Sequence, residues 1–199
     1  MLVIGIDEVG RGPLAGPVVV TALALPEGYD LTSSGLPLRD SKKLTERQRE
    51  AWRTWVTVRP DITYATAFVY PKTIDRLNIS GAANLAAHRA YSKLLILLKL
   101  QTANHNLKTV ILDGGLHLPK TVPHRTIVKA DEKYPAVSLA SIMAKCARDR
   151  AMRRMDRRYP TYGFAAHKGY GTEAHVKALK RHGPAPEHRL TFIRNFRIL

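Results

Sequence analysis

Two aliphatic segments separated by a turn rich in glycine restrict the fold of this chain more than any other feature. Residues 2–7 and 17–25 are almost wholly apolar, which is typical of strands that are buried on both faces of a sheet. The intervening residues 10–16 hold three glycines and one proline, and these residue types interrupt helices and favour turns. We therefore predict that the chain begins with two neighbouring strands joined by this turn.

Helices and strands alternate along the rest of the chain. A capping box at residues 45–48 marks one helix start, and Pro71 suits the first turn of a short helix. The other predicted elements are a helix to about residue 58, strands at 62–70, 109–113 and 125–129, and helices at 80–102, 135–158 and 172–183. This alternation indicates an α/β fold with a mixed sheet.

A large excess of positive charge limits the partners that the protein can have. The chain contains 32 Lys and Arg residues against 16 Asp and Glu residues, so its formal charge is +16 and its pI is near 10.3. Such a protein attracts polyanions, of which nucleic acid is the commonest. A membrane surface, or a basic charge without a specific partner, is the alternative.

The composition also indicates a compartment. No apolar stretch reaches the ~18 residues of a membrane span, and the chain starts with a strand pattern instead of a cleavable leader. The single cysteine, Cys146, excludes an internal disulfide framework and fits a reducing cytoplasm. We expect a cytoplasmic protein that does not enter the membrane. Cys146 is expected to be a small core residue that lies on a helix.

Acidic residues follow three of the predicted strands. Asp7, Asp113 and Asp131 each stand at a strand end, and Glu8 is adjacent to the first. One acid in such a place is usually a helix cap or turn former, but several at one rim of an α/β sheet indicate a ligand site. Oxygen ligands without a Cys/His cluster favour Mg²⁺ or Mn²⁺. Two such ions, about 4 Å apart, could bracket a phosphodiester.

Adjacent acids create a geometric difficulty. Successive side chains of a regular strand point to opposite faces of the sheet, so Asp7 and Glu8 cannot both face one site from an unbroken strand. We therefore predict that the strand ends or bulges at Glu8.

Residues 10–16 resemble a dinucleotide-binding loop only superficially; we call their first three residues, Gly10, Arg11 and Gly12, the glycine turn. Prolines and a predicted strand follow where that motif requires a helix. No phosphate loop of the form G-x-x-x-x-G-K-[ST] occurs, so a nicotinamide or ATP enzyme is excluded. From the residues alone the turn is either structural or a reader of the ribose 2′-hydroxyl, the group that distinguishes RNA from DNA.

Ten segments occur together in an order that resembles one family. They are Gly5-Ile6-Asp7-Glu8-Val9-Gly10-Arg11-Gly12-Pro13-Leu14-Ala15-Gly16-Pro17, Asp40-Ser41-Lys42-Lys43-Leu44, Leu112-Asp113-Gly114, Lys129-Ala130-Asp131, Ala140-Ser141-Ile142-Met143-Ala144-Lys145, Arg148-Asp149, Tyr159-Pro160, Tyr162-Gly163-Phe164, His167-Lys168-Gly169-Tyr170 and His188-Arg189. The set spans residues 5 to about 193 and resembles ribonuclease HII, of the type 2 ribonuclease H family.

The resemblance implies a ribonuclease H-like fold, with a five-stranded mixed sheet flanked by helices and a small C-terminal helical region. We expect a catalytic core at residues 1–160 and a C-terminal helical segment at residues 161–199 packed on it. The implied activity is endonucleolytic cleavage of the RNA strand in RNA·DNA hybrids. It includes incision 5′ of a ribonucleotide embedded in duplex DNA, which leaves a 3′-hydroxyl and a 5′-phosphate.

Residue roles follow from the same resemblance. The family's four metal-binding, catalytic carboxylates match Asp7, Glu8, Asp113 and Asp131. The turn that contacts the 2′-hydroxyl matches Gly10, Arg11 and Gly12, and the tyrosine that stacks on the following deoxyribose matches Tyr170. A phosphate-contacting loop resembles Ser41, Lys42 and Lys43, while His167 and Lys168 are further phosphate candidates because they precede Tyr170. The glycine turn and Tyr170 favour type HII over type HIII.

The expected partners are RNA·DNA hybrids and duplex DNA with embedded ribonucleotides, bound by a monomer. The tail at residues 191–196 lacks a glutamine-led clamp-binding motif, so we expect no clear sliding-clamp site. Basic residues on the helix at 135–158 either follow phosphates or form a solvated face; they are Lys145, Arg148, Arg150, Arg153, Arg154, Arg157 and Arg158. Residues 180–188 are expected at the surface.

Two other functions compete with this hypothesis. A non-catalytic basic RNA-binding protein would share the charge, but it would gain nothing from acids that converge beside its ligand. Another metal-dependent nuclease of the same broad fold would share the acids, but it would need no reader of the 2′-hydroxyl. Cleavage of duplex DNA that contains one ribonucleotide, compared with all-DNA duplex, distinguishes the three.

Overall fold

A mixed sheet of five strands organises the chain in the computed structural model, which describes residues 1–101 and 107–194. The strands are β1 (Leu2–Val9), β2 (Val18–Pro26), β3 (Thr63–Val69), β4 (Leu107–Asp113) and β5 (Arg125–Ile127). Their order is β3-β2-β1-β4-β5, with β1, β4 and β5 parallel and with β2 antiparallel to both neighbours. The predicted α/β fold with a five-stranded mixed sheet is confirmed.

Six α-helices accompany the sheet within the described residues. They are α1 (Glu46–Thr57), α2 (Pro71–Gln101), α3 (Pro135–Arg158), α4 (Phe164–His167), α5 (Glu173–His182) and α6 (Leu190–Ile193). The capping box is present, because Thr45 and Gln48 exchange side-chain and backbone hydrogen bonds at the start of α1. A kink at Asn78 divides α2 into the expected short and long helices. The predicted end of the long helix at residue 102 lies outside the described residues.

The helices cover both faces of the sheet. The α2 face holds an alanine-rich core, in which Ala83, Ala86 and Ala90 are fully buried against the sheet. The other face packs α1 and α3 against the sheet, with the fully buried Trp52 at the centre. A Cβ atom on Gly5 would lie 2.2 Å from the backbone of α3, so glycine permits the close approach that brings α3 over the end of β1.

The C-terminal segment packs on the turn between β1 and β2. A third apolar cluster joins Phe164 and Leu179 to Leu14 and Met152, and the backbone amide of Leu14 donates to the carbonyl of Gly169 (2.8 Å). The division of the chain after residue 160 stays a prediction.

Three local predictions were wrong. The strand β5 ends at Ile127, and Lys129 adopts a left-handed conformation (φ 56°) that leads Asp131 into a 3₁₀ turn. Residues 180–188 are not uniformly at the surface, because His188 is 1% exposed. The short helices α4 and α6 were not predicted. Among the described helices, none has the length and hydropathy needed to cross a bilayer.

Candidate active site

Three carboxylates meet where β1 and β4 end. The pairing of β1 with β4 stops at Ile6 opposite Leu112, so Asp7, Glu8 and Asp113 all lie just past the last paired residues. One carboxylate oxygen from each of the three lies within 4.8 Å of the others. We call these three residues the carboxylate cluster. The predicted meeting of acids at a shared rim is present for strands β1 and β4.

The prediction that β1 ends or bulges at Glu8 was wrong. Its ladder with β2 continues through Glu8 to Val9 without a register shift there. Asp7 shares the face of Gly5, on the side of α3, and Glu8 occupies the opposite face. Because β4 no longer pairs beyond Ile6, the end of the sheet is open there, and the longer Glu8 side chain reaches Asp113 around that end.

Asp7 is the most buried member of the cluster, with 5% of its surface exposed. Its Oδ1 accepts a hydrogen bond from the amide of Glu8 (2.7 Å), and the nearby hydroxyl of Ser141 on α3 favours its ionised form. Burial raises its pKa well above the usual range, and the charges of Glu8 and Asp113 add to this effect. The ionised form of Asp7 is therefore costly without a nearby cation.

The negative charge of Glu8 is only partly compensated by its surroundings. Burial raises its pKa and Asp113 contributes, while the guanidinium of Arg11, 3.6 Å from Oε1, opposes the rise. The other oxygen, Oε2, is buried and has no hydrogen-bond partner among the described residues. Asp113, by contrast, accepts a hydrogen bond from the amide of Ala130 (2.8 Å). This bond joins the end of β4 to the 3₁₀ turn that carries Asp131.

Asp131 lies beside the cluster and is not one of its three members. It lines the same cleft, and burial raises its pKa, with further contributions from the charges of Asp113 and Asp40. Its carboxylate is thus within electrostatic reach of the cluster.

The donor set of the cluster fits a hard divalent cation. Three carboxylates crowd together, two of them have raised pKa values, and the orphaned Oε2 of Glu8 lacks a donor. A cation would offset the repulsion and the desolvation of all three. Oxygen ligands of this kind suit Mg²⁺ and Mn²⁺.

The carboxylates open into a cleft of about 730 Å³. Ser41, Lys42 and Lys43 line it, and a phosphate contact from this loop stays a prediction. Both lysines are exposed, whereas Ser41 is buried and its hydroxyl bonds to that of Ser141 (2.9 Å). Since the Ser141 hydroxyl also favours the ionised form of Asp7, the Ser41–Ser141 pair links this loop to the carboxylate cluster.

The glycine turn is held from its buried side by an arginine. The guanidinium of Arg189 donates to the carbonyls of Gly10 (2.6 Å), Arg11 (2.8 Å) and Gly16 (3.0 and 2.9 Å). Gly10 has φ 95°, and a Cβ atom there would lie 2.3 Å from Nε of Arg148. Both conformation and space therefore require glycine at this position.

The sequence analysis counted Arg148 among the basic residues of α3 that follow phosphates or form a solvated face. For Arg148 this prediction was wrong. It is fully buried, as is Arg189, and it donates to the carbonyls of Pro17 (3.0 Å) and Ala15 (3.2 Å). Burial lowers the pKa of Arg189 to about 9. Helix periodicity did not single out Arg148, because the positions around it are also basic.

Tyr170 stands next to the glycine turn. Its side chain is about half exposed, and a Cβ atom on Gly12 would lie 4.0 Å from its ring. The guanidinium carbon of Arg148 lies 6.0 Å from the ring centroid, at the limit of a cation–π contact. Tyr170 also lines the cleft, so the structure brings it together with the turn and the carboxylates.

His167 and Lys168 make contacts within the protein. The ring of His167 bonds through Nε2 to the carbonyl of Tyr162 (2.7 Å) and through Nδ1 to the amide of Gly169 (3.1 Å). Lys168 donates from Nζ to the carbonyl of Ala165 (2.5 Å). A phosphate contact from either side chain stays a prediction.

Comparison with known proteins agrees with this geometry. The family model described as "Ribonuclease HII" matches residues 4–195. The ribonuclease HII of Nitratidesulfovibrio vulgaris is 45% identical over 195 residues (94% of this chain and 84% of the relative), and that of Chlamydia caviae is 42% identical over 191 residues (96% and 84%). The crystal structure of ribonuclease H2 from Pyrococcus horikoshii superposes with a TM-score of 0.74 at 26% identity, covering 98% of this chain and 97% of that chain.

Proposed function

Because the chain belongs to the ribonuclease HII family, we propose that it incises duplex DNA 5′ of embedded ribonucleotides and cleaves the RNA strand of RNA·DNA hybrids. The products would carry a 3′-hydroxyl and a 5′-phosphate. One observation supports this proposal above the others: the carboxylate cluster and Tyr170 line one cleft, and the glycine turn adjoins both, through the Arg11–Glu8 ion pair and through Gly12 beside the Tyr170 ring. An acid site for hydrolysis and a corner suited to reading ribose are thus adjacent.

Four carboxylates would hold the metal ions. Asp7, Glu8 and Asp113 supply the cluster, and Asp131 lies beside it in the same cleft. We propose two ions, Mg²⁺ or Mn²⁺, in the substrate complex. When bound, such ions activate a water nucleophile and stabilise the leaving oxygen of a phosphodiester.

The protein's own contribution to this chemistry is to hold the acids in place. The amide of Glu8 fixes the Asp7 carboxylate and the amide of Ala130 fixes Asp113, while the Ser141 hydroxyl favours the ionised form of Asp7. Such support keeps ligands in a productive arrangement before substrate arrives. Glu8 is held less firmly, because its Oε1 lies 3.6 Å from Arg11 and its Oε2 has no hydrogen-bond partner among the described residues.

Recognition of the ribose is proposed for the glycine turn. Arg189 binds the turn from the buried side, whereas Gly12 is exposed and lies beside the Tyr170 ring. Backbone groups without a side chain in front of them can approach a ribose 2′-hydroxyl closely. Tyr170, beside Gly12, presents a ring on which the next sugar can pack. The exposed Lys42 and Lys43, which line the cleft, are the proposed phosphate contacts.

A cleavage assay tests the proposal directly. The substrate is a DNA duplex with one ribonucleotide, incubated with Mg²⁺, with Mn²⁺ or with chelator, and an all-DNA duplex of the same sequence is the control. We expect incision 5′ of the ribonucleotide only with metal, and no incision of the control. Intact substrate under all conditions would overturn the proposal, and equal cutting of the all-DNA duplex would favour a nuclease without ribose recognition.

A further inference from the structure

Behind Tyr170 lie three histidines, which we call the imidazole chain: His167, His175 and His188. His175 and His188 are 0% and 1% exposed. Their Nε2 atoms lie 3.0 Å apart, and the ring of His167 stacks on that of His175 with centroids 4.4 Å apart and planes 16° apart. The carboxylate chemistry proposed above does not use these rings.

The contacts of His175 and His188 determine which nitrogen of each ring carries the proton. His175 Nδ1 lies 2.9 Å from the carbonyl oxygen of Tyr170, and a carbonyl only accepts, so Nδ1 is protonated. In a neutral ring Nε2 of His175 is then an acceptor, and His188 must donate to it from Nε2. The remaining nitrogen of His188, Nδ1, lies 2.9 Å from the amide nitrogen and 3.2 Å from the carbonyl oxygen of Ala185. Because the neutral ring already donates from Nε2, Nδ1 accepts from the amide.

His167 is fixed by the same reasoning. Its Nδ1 accepts from the amide of Gly169 (3.1 Å), and its Nε2 donates to the carbonyl of Tyr162 (2.7 Å). The imidazole chain therefore binds both the amide of Gly169 and the carbonyl of Tyr170, the two ends of the short segment that presents the Tyr170 ring.

At its other end the chain reaches the turn between β1 and β2. His188 forms an isolated β-bridge with Ala15, and the next residue, Arg189, holds the glycine turn. The carbonyl oxygen of Gly169 accepts a hydrogen bond from the amide of Leu14 (2.8 Å). Tyr170 and the glycine turn are thus connected through one buried network.

We propose that His175, in its Nδ1-protonated form and supported by His167 and His188, is the positioning residue that sets the placement of Tyr170 relative to the glycine turn. In this role it determines how strongly the enzyme prefers a single embedded ribonucleotide over a long hybrid. The inference rests on the proposed contact of Tyr170 with the sugar that follows the ribonucleotide. The neutral state fits the surroundings, since burial lowers the pKa of His188 to about 4 and also lowers that of His175.

Nitrogen-15 NMR of the wild-type protein tests the tautomers without any activity measurement. We expect a protonated Nδ1 on His175 and a protonated Nε2 on His167 and on His188 at neutral pH, with all three rings uncharged. An Nε2-protonated His175, or an imidazolium form at any of the three, would overturn the inference. The exposed His117 provides the reference signal of a solvated ring.

Two substitutions of one residue test the positioning role. His175→Asn keeps an amide donor near the position of Nδ1, whereas His175→Leu removes it. We expect His175→Leu to lower incision at a single ribonucleotide about tenfold relative to cleavage of a long hybrid, and His175→Asn to recover most of that loss. His117→Leu is the matched control and should leave the ratio unchanged. Equal ratios in the Leu and Asn variants, with both folded by circular dichroism, would overturn the inference.

Tyr170→Ala, measured in parallel, separates this inference from the proposed function. If Tyr170→Ala lowers the ratio and His175→Leu in addition lowers it no further, the two residues act as a unit and the inference is supported. If Tyr170→Ala lowers the ratio but His175→Leu alone does not, the positioning role fails while the contact of Tyr170 stands. If Tyr170→Ala leaves the ratio unchanged, the proposed contact of Tyr170 fails and the inference fails with it, although ribonucleotide incision itself can still stand.

Discussion

The carboxylate cluster and the network behind the glycine turn are neighbours with opposite electrostatic designs. In the cluster, like charges are gathered with too few partners, as the orphaned Oε2 of Glu8 shows. Behind the turn, Arg189 makes four hydrogen bonds to backbone carbonyls, and each imidazole ring of the chain is bonded at both nitrogens. The first region gains from a ligand, and the second holds its shape without one.

This difference separates the roles of the two regions. Ionised carboxylates that are crowded and buried are unfavourable without a cation. The free energy gained when a cation offsets their repulsion therefore contributes to cation binding. A satisfied network, in contrast, contributes rigidity, because each lost contact would leave a buried polar group unpaired. Substitutions in the carboxylate cluster should therefore lower activity more than stability. Substitutions in the network behind the glycine turn should lower stability more than activity.

Asp113→Asn should give the largest effect on activity. It removes one ligand charge from the cluster, and the loss of several kcal/mol of transition-state stabilisation corresponds to a rate reduction of about a thousandfold or more. Since it also removes repulsion on Asp7 and Glu8, the metal-free variant should unfold at the same temperature as the wild type or higher. Single-turnover cleavage and thermal unfolding measure the two quantities. A variant that keeps activity but melts much earlier would reverse the assignment.

Arg189→Met should give the largest effect on stability. The change removes the donor to three buried carbonyls, and leaving these unpaired costs about 3 kcal/mol or more. Urea unfolding measures the loss, and the exposed Arg154→Met on α3 is the control, with an expected change within about 0.5 kcal/mol. A similar small change in both variants would show that the glycine turn does not depend on Arg189.

The pH dependence of stability should have opposite signs in the two regions. His188 has a folded-state pKa of about 4 against 6.5 for the ordinary side chain, so the unfolded chain binds more protons between these values and stability rises with pH there, by about 3 kcal/mol. Asp7 has a raised folded-state pKa, so its contribution falls as pH rises from its unfolded value through its folded one.

Urea unfolding across pH 4 to 7 without metal separates these contributions. The Asp7→Asn variant should show a steeper gain of stability with pH than the wild type, because only the opposing contribution has been removed. Saturating Mg²⁺ should steepen the wild-type curve in the same direction. A His188→Gln variant that retained the full gain between pH 4 and 6.5 would contradict the assignment to the imidazole chain.

How far the sequence predicted each region depends on whether its signals are local. The start of α3 at Pro135 and the capping box at Thr45 are local signals, and both elements were predicted within a residue or two. The position of Asp131 was not predicted. It depends on the left-handed conformation of Lys129 and on the hydrogen bond from the amide of Ala130 to Asp113, which belongs to a strand distant in sequence.

The acids were found because adjacent carboxylates in a basic chain are conspicuous. The buried network was missed because an arginine or histidine carries no mark of burial in the sequence. Arg148 is surrounded by basic residues on α3, and the carbonyls that it binds belong to residues more than 130 positions away. Arg148, His167, His188 and Arg189 carried a signal only through the resemblance, which gave no indication that they are buried, and His175 carried none.

Ser141→Ala should give the smallest effect and shows how the cluster depends on the buried groups beside it. The Ser141 hydroxyl favours the ionised form of Asp7, so its loss should weaken metal binding by about 1 kcal/mol, or roughly fivefold. The metal concentration that gives half of the maximal thermal stabilisation measures this change. Ser41→Ala is the matched control, because Ser41 bonds to Ser141 and lies one hydroxyl further from Asp7. It should shift that concentration less, and an equal or larger shift would mean that the loop carrying Ser41 acts on the metal site by another route.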